Sequence, residues 1–266
     1  ARRSGEPLTL DVERGQQELT ATVSLVGDET LVVIVDRTRE RRVEEVRRNF
    51  VVNASHELKT PVTAIRTLAE ALEVTLRDDP KRAAALAKRL TGESERLARL
   101  VTDLLDLRRL EERGPLERVP VDLAEVVRRA VAEALPRAEA RGIAVEVDLP
   151  DAARVAGVPA DVEAVVANLV SNAVKYNRDG GTLEVRVAPG SGTQVLTVRD
   201  SGIGIPQQDL GRVFERFYRV DTARSRATGG TGLGLSIVRH AVERHGGSVR
   251  VESLLGEGTT FTVVLP

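Results

Sequence analysis

Residues 49–61 read N-F-V-V-N-A-S-H-E-L-K-T-P, and the histidine among them, His56, is followed at once by the carboxylate of Glu57. The stretch opens an amphipathic pattern that runs on to about Arg77, with Leu58, Ile65, Leu68 and Leu72 on one helical face. At about 100° per residue, His56 lies roughly 160° from Leu58 and points away from that face. An outward imidazole beside a carboxylate suits a nucleophile or proton carrier. A surface histidine met alone is more often idle than reactive, so a second element is required.

Upstream, residues 8–12, 17–26 and 30–35 read as short strands, with turns at Gly15-Gln16 and Gly27-Asp28 and a period of two in Leu19, Ala21, Val23 and Leu25. Residues 39–48 are densely charged, with Val43, Val46 and Phe50 at the spacing of a coiled-coil seam. Downstream, Asp78-Asp79-Pro80 ends the first helix and opens a second. Its heptads run Ala83, Leu86, Leu90, Glu93, Leu97, Leu100, Leu104 and Leu107, polar only at Glu93. Antiparallel helices with one apolar stripe each cannot close a core, and pairing two such hairpins into a four-helix bundle predicts a homodimer.

A linker, Glu111-Glu112-Arg113-Gly114-Pro115, follows the hairpin. The periodicity then predicts helices over 122–141, 159–176 and 234–245 and strands over 143–149, 182–188, 193–199, 247–253 and 259–265. Such mixed order without regular βαβ alternation argues for an α+β two-layer sandwich. The 266 residues allow two domains. A net charge of −1 gives no field for nucleic acid or an anionic membrane, and the absence of Cys excludes disulfides and thiol chemistry. Histidines at 56, 240 and 245 form no metal-like cluster, and no apolar run reaches the roughly 18–20 residues of a membrane span. With no Met and an opening in mid-pattern at Ala1, the sequence reads as a piece of a longer protein.

Four further blocks carry chemistry. Asn168, Asn172 and Lys175 fall at i, i+4 and i+7 on one helical face, where amide carbonyls suit hydrated Mg²⁺ and an ammonium suits phosphate. Asp200-Ser201-Gly202-Ile203-Gly204 ends an alternating strand, placing an acceptor-only carboxylate beside glycines that permit close approach. Phe214-Glu215-Arg216-Phe217-Tyr218 gathers scarce aromatics, with a helix packing on the core as the plainer reading. Residues 219–229 after it are polar and patternless, as a mobile lid should be. Gly229-Gly230-Thr231-Gly232-Leu233-Gly234 leads into a helix whose N-terminus offers free N–H groups to phosphate, without a Walker lysine. Gly256-Glu257-Gly258 reads mainly as a structural hairpin, and His245 as a helix C-terminal residue.

The stretch 50–61 resembles the H-box of sensor histidine kinases, and the later blocks resemble that family's N, G1, F, G2 and G3 boxes in order, across about residues 40–266. The resemblance implies a truncated PAS-like β segment at 1–37 and a coiled-coil entry and dimerisation/phosphotransfer hairpin at 38–113. It implies an ATP-binding domain of the GHKL (Bergerat) fold at 114–266. An ordinary hairpin is the alternative for the first segment. The resemblance further implies that His56 is phosphorylated from Mg-ATP with Glu57 as acid–base partner. The phosphoryl group then passes to an aspartate of a response-regulator receiver domain. Thr60, completing an E-x-x-T pattern with Glu57, implies a phosphatase activity as well. By the same likeness Asn172 holds Mg²⁺; Asn168, Lys175, Tyr176, Asp200, Gly202, Gly204, Gly230, Thr231, Gly232, Leu233 and Gly234 line the nucleotide. The fragment is expected on the cytoplasmic side without direct membrane contact, its parent anchored in the plasma membrane by absent segments.

Val158 and Asp161 depart from the pattern of many relatives, a difference expected to bear on helix packing. Two other readings compete: a dimeric scaffold that binds ATP without transferring phosphate, and an ATPase related to gyrase or heat-shock chaperones. His56 and the hairpin around it argue against the second.

Overall fold

The computed structural model describes residues 7–15, 17–27, 29–111, 116–220 and 230–266, with backbone alone at 14, 42, 43 and 45–47. Parts of the sequence reading therefore lie outside the described residues: Gln16, Asp28, the linker residues 112–115, Gly229, the lid over 221–229 and the side chains of Val43 and Val46. The chain folds as two compact units, Ala1–Thr60 and Pro61–Pro266.

In the first unit, β1 (Leu8–Arg14), β2 (Gln17–Val26) and β3 (Glu29–Asp36) form an antiparallel sheet in the order β1-β2-β3. Gly15 and Gly27 turn between them at φ 64°, a conformation that other residues resist. Register places Leu10 opposite Ala21 and Ala21 opposite Ile34, so the period of two collects the apolar side chains on one face. Among them Ile34 remains 63% exposed. Helix α1 (Thr38–Thr75) starts at Thr38, whose amide and hydroxyl both donate to Asp36, and runs through Pro61 without interruption.

In the second unit, the remainder of α1 and α2 (Pro80–Glu111) make a helical hairpin. Leu68, Ala83, Leu100, Leu107 and Leu110 are buried, whereas Val62, Val74, Leu76, Val101 and Leu105 stay exposed. Helices α3 (Leu123–Glu139), α4 (Pro159–Lys175) and α5 (Gly234–Arg244) accompany a five-stranded sheet. Its strands are β5 (Ala144–Asp148), β7 (Thr182–Pro189), β8 (Gln194–Asp200), β9 (Ser248–Leu254) and β10 (Gly258–Leu265), in the order β5-β7-β8-β10-β9. Only β5 and β7 run parallel. Alternation sends Leu183, Val185, Leu196, Val198, Phe261 and Val263 into a core shared with Val165, Val166, Leu169 and Val170 of α4 and Ile237 and Val238 of α5. The result is the expected two-layer α/β sandwich after a helical hairpin.

Two short strands went unread in the sequence: β4 (Val119–Asp122) pairs antiparallel with β6 (Arg154–Gly157). At four residues each, and with Pro120 inside the first, neither shows a usable period. Asp122 then caps α3, accepting from Ala124 N and Ala153 N at 3.0 Å each. The aromatic block also differs from the plainer reading, because Phe214 to Tyr218 lie in turns, not in a helix. Phe214 still meets the core edge-on, 6.3 Å from the Phe261 ring.

Candidate nucleotide site and phosphoacceptor

His56 is exposed on α1, away from the inward face, as the helical spacing requires. Glu57 is half-buried and Thr60 exposed, its hydroxyl donating to the His56 carbonyl at 3.1 Å. That back-bond satisfies the hydroxyl within the helix and leaves it on the His56 face. Pro61 carries no N–H, so the carbonyl of Glu57 lacks its ordinary helical donor directly beside the histidine.

In the second unit the remaining site residues converge from α4, the end of β8 and the start of α5. Asn168, Asn172 and Lys175 are all half-buried along one face of α4. Asn168 donates to Ala164 O at 2.8 Å and turns its Oδ1 toward the first residue of α5, Gly234, where a Cβ would stand 2.3 Å from it. A Cβ on Gly230 would lie 2.7 Å from Lys175 Nζ and 3.1 Å from the Tyr176 hydroxyl. A side chain at either glycine would have to push these polar groups aside. Lys175 Nζ also sits 4.9 Å from the centre of the Tyr176 ring.

Gly232, at φ +74°, packs on the backbone of Phe217, whose amide donates to Gly232 O at 2.8 Å. Phe217 itself has φ 62°, a strained value for a bulky residue. The aromatic block thus holds the glycine loop, a link that no spacing in the sequence revealed. Leu233 is fully buried before α5, and Thr231 Oγ1 accepts from Leu233 N at 3.3 Å.

Asp200 ends β8 at 7% exposure. Its Oδ1 accepts from Gly202 N at 2.8 Å, and a Cβ on Gly202 would stand 2.2 Å from Tyr176 O. Gly204, at φ +69°, lies against Leu254 O, and Gly258 against Asp200 O. The last hairpin is thus structural, as read, and it also buttresses the carboxylate. Burial pushes the Asp200 carboxyl up to about 6, against the pull of the Gly202 and Thr259 amides. Lys175 is pulled down to about 8 by burial first and then by Arg219, Arg99 and Arg96, with Asp103 opposing. A buried acid and a half-buried base, both displaced toward neutrality, make this region the candidate functional site.

Two supports were invisible in the sequence. Arg141 donates to Val174 O at 2.6 Å and Asn177 O at 2.7 Å, closing the C-terminus of α4 beneath Lys175 and Tyr176. His245 donates from Nδ1 to Ala241 O at 2.7 Å and accepts from Val158 N at 2.9 Å, tying the end of α5 to the start of α4. The second bond supplies a partner for the amide of Val158, which has no side-chain cap of its own to offer the helix.

Residues 46–113 match the His Kinase A (phospho-acceptor) domain, and residues 157–266 match the histidine kinase-, DNA gyrase B- and HSP90-like ATPase domain. A structure of the mycobacterial sensor histidine kinase MprB is 34% identical, with TM-score 0.50, covering 56% of this chain and 97% of that one. The chain belongs to the sensor histidine kinases. The sensor-like histidine kinase SenX3 of Mycolicibacterium smegmatis is 44% identical over 240 residues, 89% of this chain and 62% of that protein. Against SenX3 proteins the chain spans about three fifths of their length, 62% in one and 58% in others. The fold also matches histidine kinase ThkA, solved in complex with response regulator protein TrrA, at TM-score 0.68 and 21% identity over 98% of this chain and 79% of that one. The ATPase-domain match makes the α/β layer an ATP-binding domain.

Among the described residues no group of three His, Cys, Asp or Glu could hold a metal ion by itself. The half-buried amide of Asn172 fits Mg²⁺, an ion that keeps several waters and takes most other ligands from phosphates. No helix among the described residues is long and apolar enough to cross a membrane.

Proposed function

We propose that this chain binds Mg-ATP in its α/β domain and phosphorylates its own His56. The carrying observation is the convergence of Lys175, Tyr176, Asn168, Gly230 and Gly234 at the start of α5, beside the buried Asp200. In this reading the Asp200 carboxylate accepts the exocyclic amine of adenine, while Lys175, Thr231 and the N–H groups of the glycine loop take the phosphates. Asn168 positions the loop against α4. Bound at Asn172, Mg²⁺ would offset phosphate charge.

Neutral His56 then attacks the γ-phosphorus in line. A nitrogen–phosphorus bond forms, the bond from phosphorus to the bridging oxygen of ADP breaks, and Glu57 takes the other ring proton. Transfer to a receiver-domain aspartate follows, a reading supported by the ThkA–TrrA complex. Thr60, on the His56 face, positions water against phosphoaspartate for the reverse control, dephosphorylation of the regulator. The exposed Val62, Val101 and Leu105 support a homodimer closed as a four-helix bundle.

The proposed domains remain a PAS-like segment at 1–37, the phosphotransfer hairpin at 38–113 and the ATP-binding domain at 114–266. The fragment is placed on the cytoplasmic side of a membrane that its parent spans elsewhere. Incubation with γ-labelled ATP and Mg²⁺ tests the proposal. Wild type should gain an acid-labile, alkali-stable label that His56→Gln lacks. ATP binding without any label would leave the ATP-binding scaffold as the better reading.

A further inference from the structure

Asp103 lies on α2, yet its carboxylate is seated in the phosphate corner of the α/β domain. Its Oδ2 accepts from Thr231 Oγ1 at 2.6 Å, inside the glycine loop. That same hydroxyl faces the N-terminal amides of α5 through Leu233 N at 3.3 Å. The charged groups around it are Lys175 of α4 and Arg99 and Asp106 of α2, while Arg96, Arg99 and Arg219 act on Lys175 itself. A corner that gathers cations and the N-terminal end of α5, and is built on glycines, already holds one anion.

Two ion pairs continue the contact along α2. Arg109 Nη2 reaches Asp161 Oδ1 at 3.0 Å, and Glu111 pairs with Arg216 of the aromatic block. Asp161, 0% exposed at the start of α4, is shared with Arg244 of α5 at 3.4 Å. The acid that departs from the family pattern at this position is thus the socket for an arginine of the hairpin.

The geometry points to Asp103 as a stand-in for the nucleotide's phosphates: it ties α2 to the loop that ATP must use, and nucleotide binding displaces it. The inference rests on the reading of this corner as the ATP site. A single Thr231 hydroxyl and Lys175 cannot serve Asp103 and a phosphate in the same positions, and two anions there repel. Docking of α2 and binding of phosphate are then linked in both directions, each weakening the other by the same factor. The Arg109–Asp161 and Glu111–Arg216 pairs lie outside the corner and set how firmly the helix returns after nucleotide leaves.

Calorimetric titration of the full chain with Mg-ADP and with adenosine, in wild type and Asp103→Asn, tests this. A hydrogen bond to a charged group corresponds to about tenfold, so Asp103→Asn should bind Mg-ADP about tenfold tighter. Adenosine, which lacks phosphates, should bind both proteins alike. In wild type, saturating Mg-ADP should also raise amide hydrogen exchange across residues 103–110, a readout that depends on no variant. Equal Mg-ADP affinity in the two proteins overturns the inference. So does tighter binding by the variant with α2 exchange unchanged in wild type, which would mean charge alone without displacement. Failure of both ADP and adenosine to bind wild type would instead remove the nucleotide site, and the inference with it.

Discussion

Replacing Asp200 by Asn should stabilise the nucleotide-free α/β domain while removing its affinity for ATP. The carboxyl has its pKa raised from 3.8 to about 6 because burial disfavours the charged form. A folded-state value above the unfolded one means that the native domain holds the proton more tightly than the open chain does. Stability from this group is therefore greatest at low pH and declines as pH rises from the unfolded value toward the folded one. Integrating the two titrations gives a cost of about 3 kcal/mol at pH 7 and about 1 kcal/mol at pH 4.5. Asn fills the same space, can still accept from Gly202 N and carries no charge. The variant should unfold later than wild type by about 4–8 °C near neutrality, taking about 2 kcal/mol as the realised gain, and the difference should shrink by more than half at pH 4.5. Thermal unfolding followed by circular dichroism at the two pH values, without nucleotide, measures both quantities. Nucleotide affinity is read by calorimetry at pH 7.5. A variant less stable than wild type at both pH values, or a gain independent of pH, would refute the assignment of a strained buried carboxylate.

Lys175, held near 8 by burial, should take up a proton when phosphates arrive, so the heat of ATP binding at pH 8.5 should vary with the ionisation enthalpy of the buffer; no such dependence would count against contact with phosphate. Gly232→Ala should weaken ATP binding at least tenfold and cost about 1–2 kcal/mol of stability, since φ +74° and the Phe217 backbone both exclude a Cβ; unchanged binding by calorimetry would show the loop to be plastic. Thr60→Ala should keep labelling of His56 but lose dephosphorylation of a phosphorylated receiver domain, and equal loss of both would assign the hydroxyl to helix structure. Arg109→Met should leave Asp161 with a weaker partner and lower the unfolding temperature by several degrees, corresponding to about 2 kcal/mol, because a buried carboxylate loses an ion pair; no change would mean Arg244 alone suffices.

Much of the architecture was legible because the elements obey local rules. The α1–α2 boundary followed from Asp78-Asp79-Pro80, and the sheet strands from alternation such as Leu183, Val185 and Val187, each buried on one side. Strands β4 and β6 are too short for a period to register, and their pairing depends on distant chain, Val119 with Gly157 at one end and Asp122 with Arg154 at the other. The candidate site was legible where residue type and spacing carry the chemistry, as in Asn168, Asn172 and Lys175. It was not legible where the partner comes from a distant element. Nothing in the pattern of α2, a run of heptads, distinguished Asp103 from the other acids on its polar side. Arg141 likewise reads as an ordinary surface arginine until the carbonyls of α4 are seen beneath it.

Several places that break local rules gather in one region. A half-buried lysine, a buried carboxylate, a bulky residue at φ 62° and some of the glycines with little room for a Cβ fall around the end of α4, the end of β8 and the start of α5. Each costs stability by itself, and the surrounding structure compensates with bonds of high sequence separation: Arg141 to α4, Phe217 to Gly232, His245 to Val158. His56, by contrast, sits exposed on α1, and Thr60, four residues on, bonds back to its carbonyl. The division suits a reaction whose demanding partner is the nucleotide. In the proposed reaction a corner holding several phosphate charges would need dehydrated, pre-aimed donors, whereas a histidine meeting both ATP and a receiver protein would need access first. On the proposed reading, α2, bonded through Asp103 to the glycine loop, is an element on which control of the transfer would act.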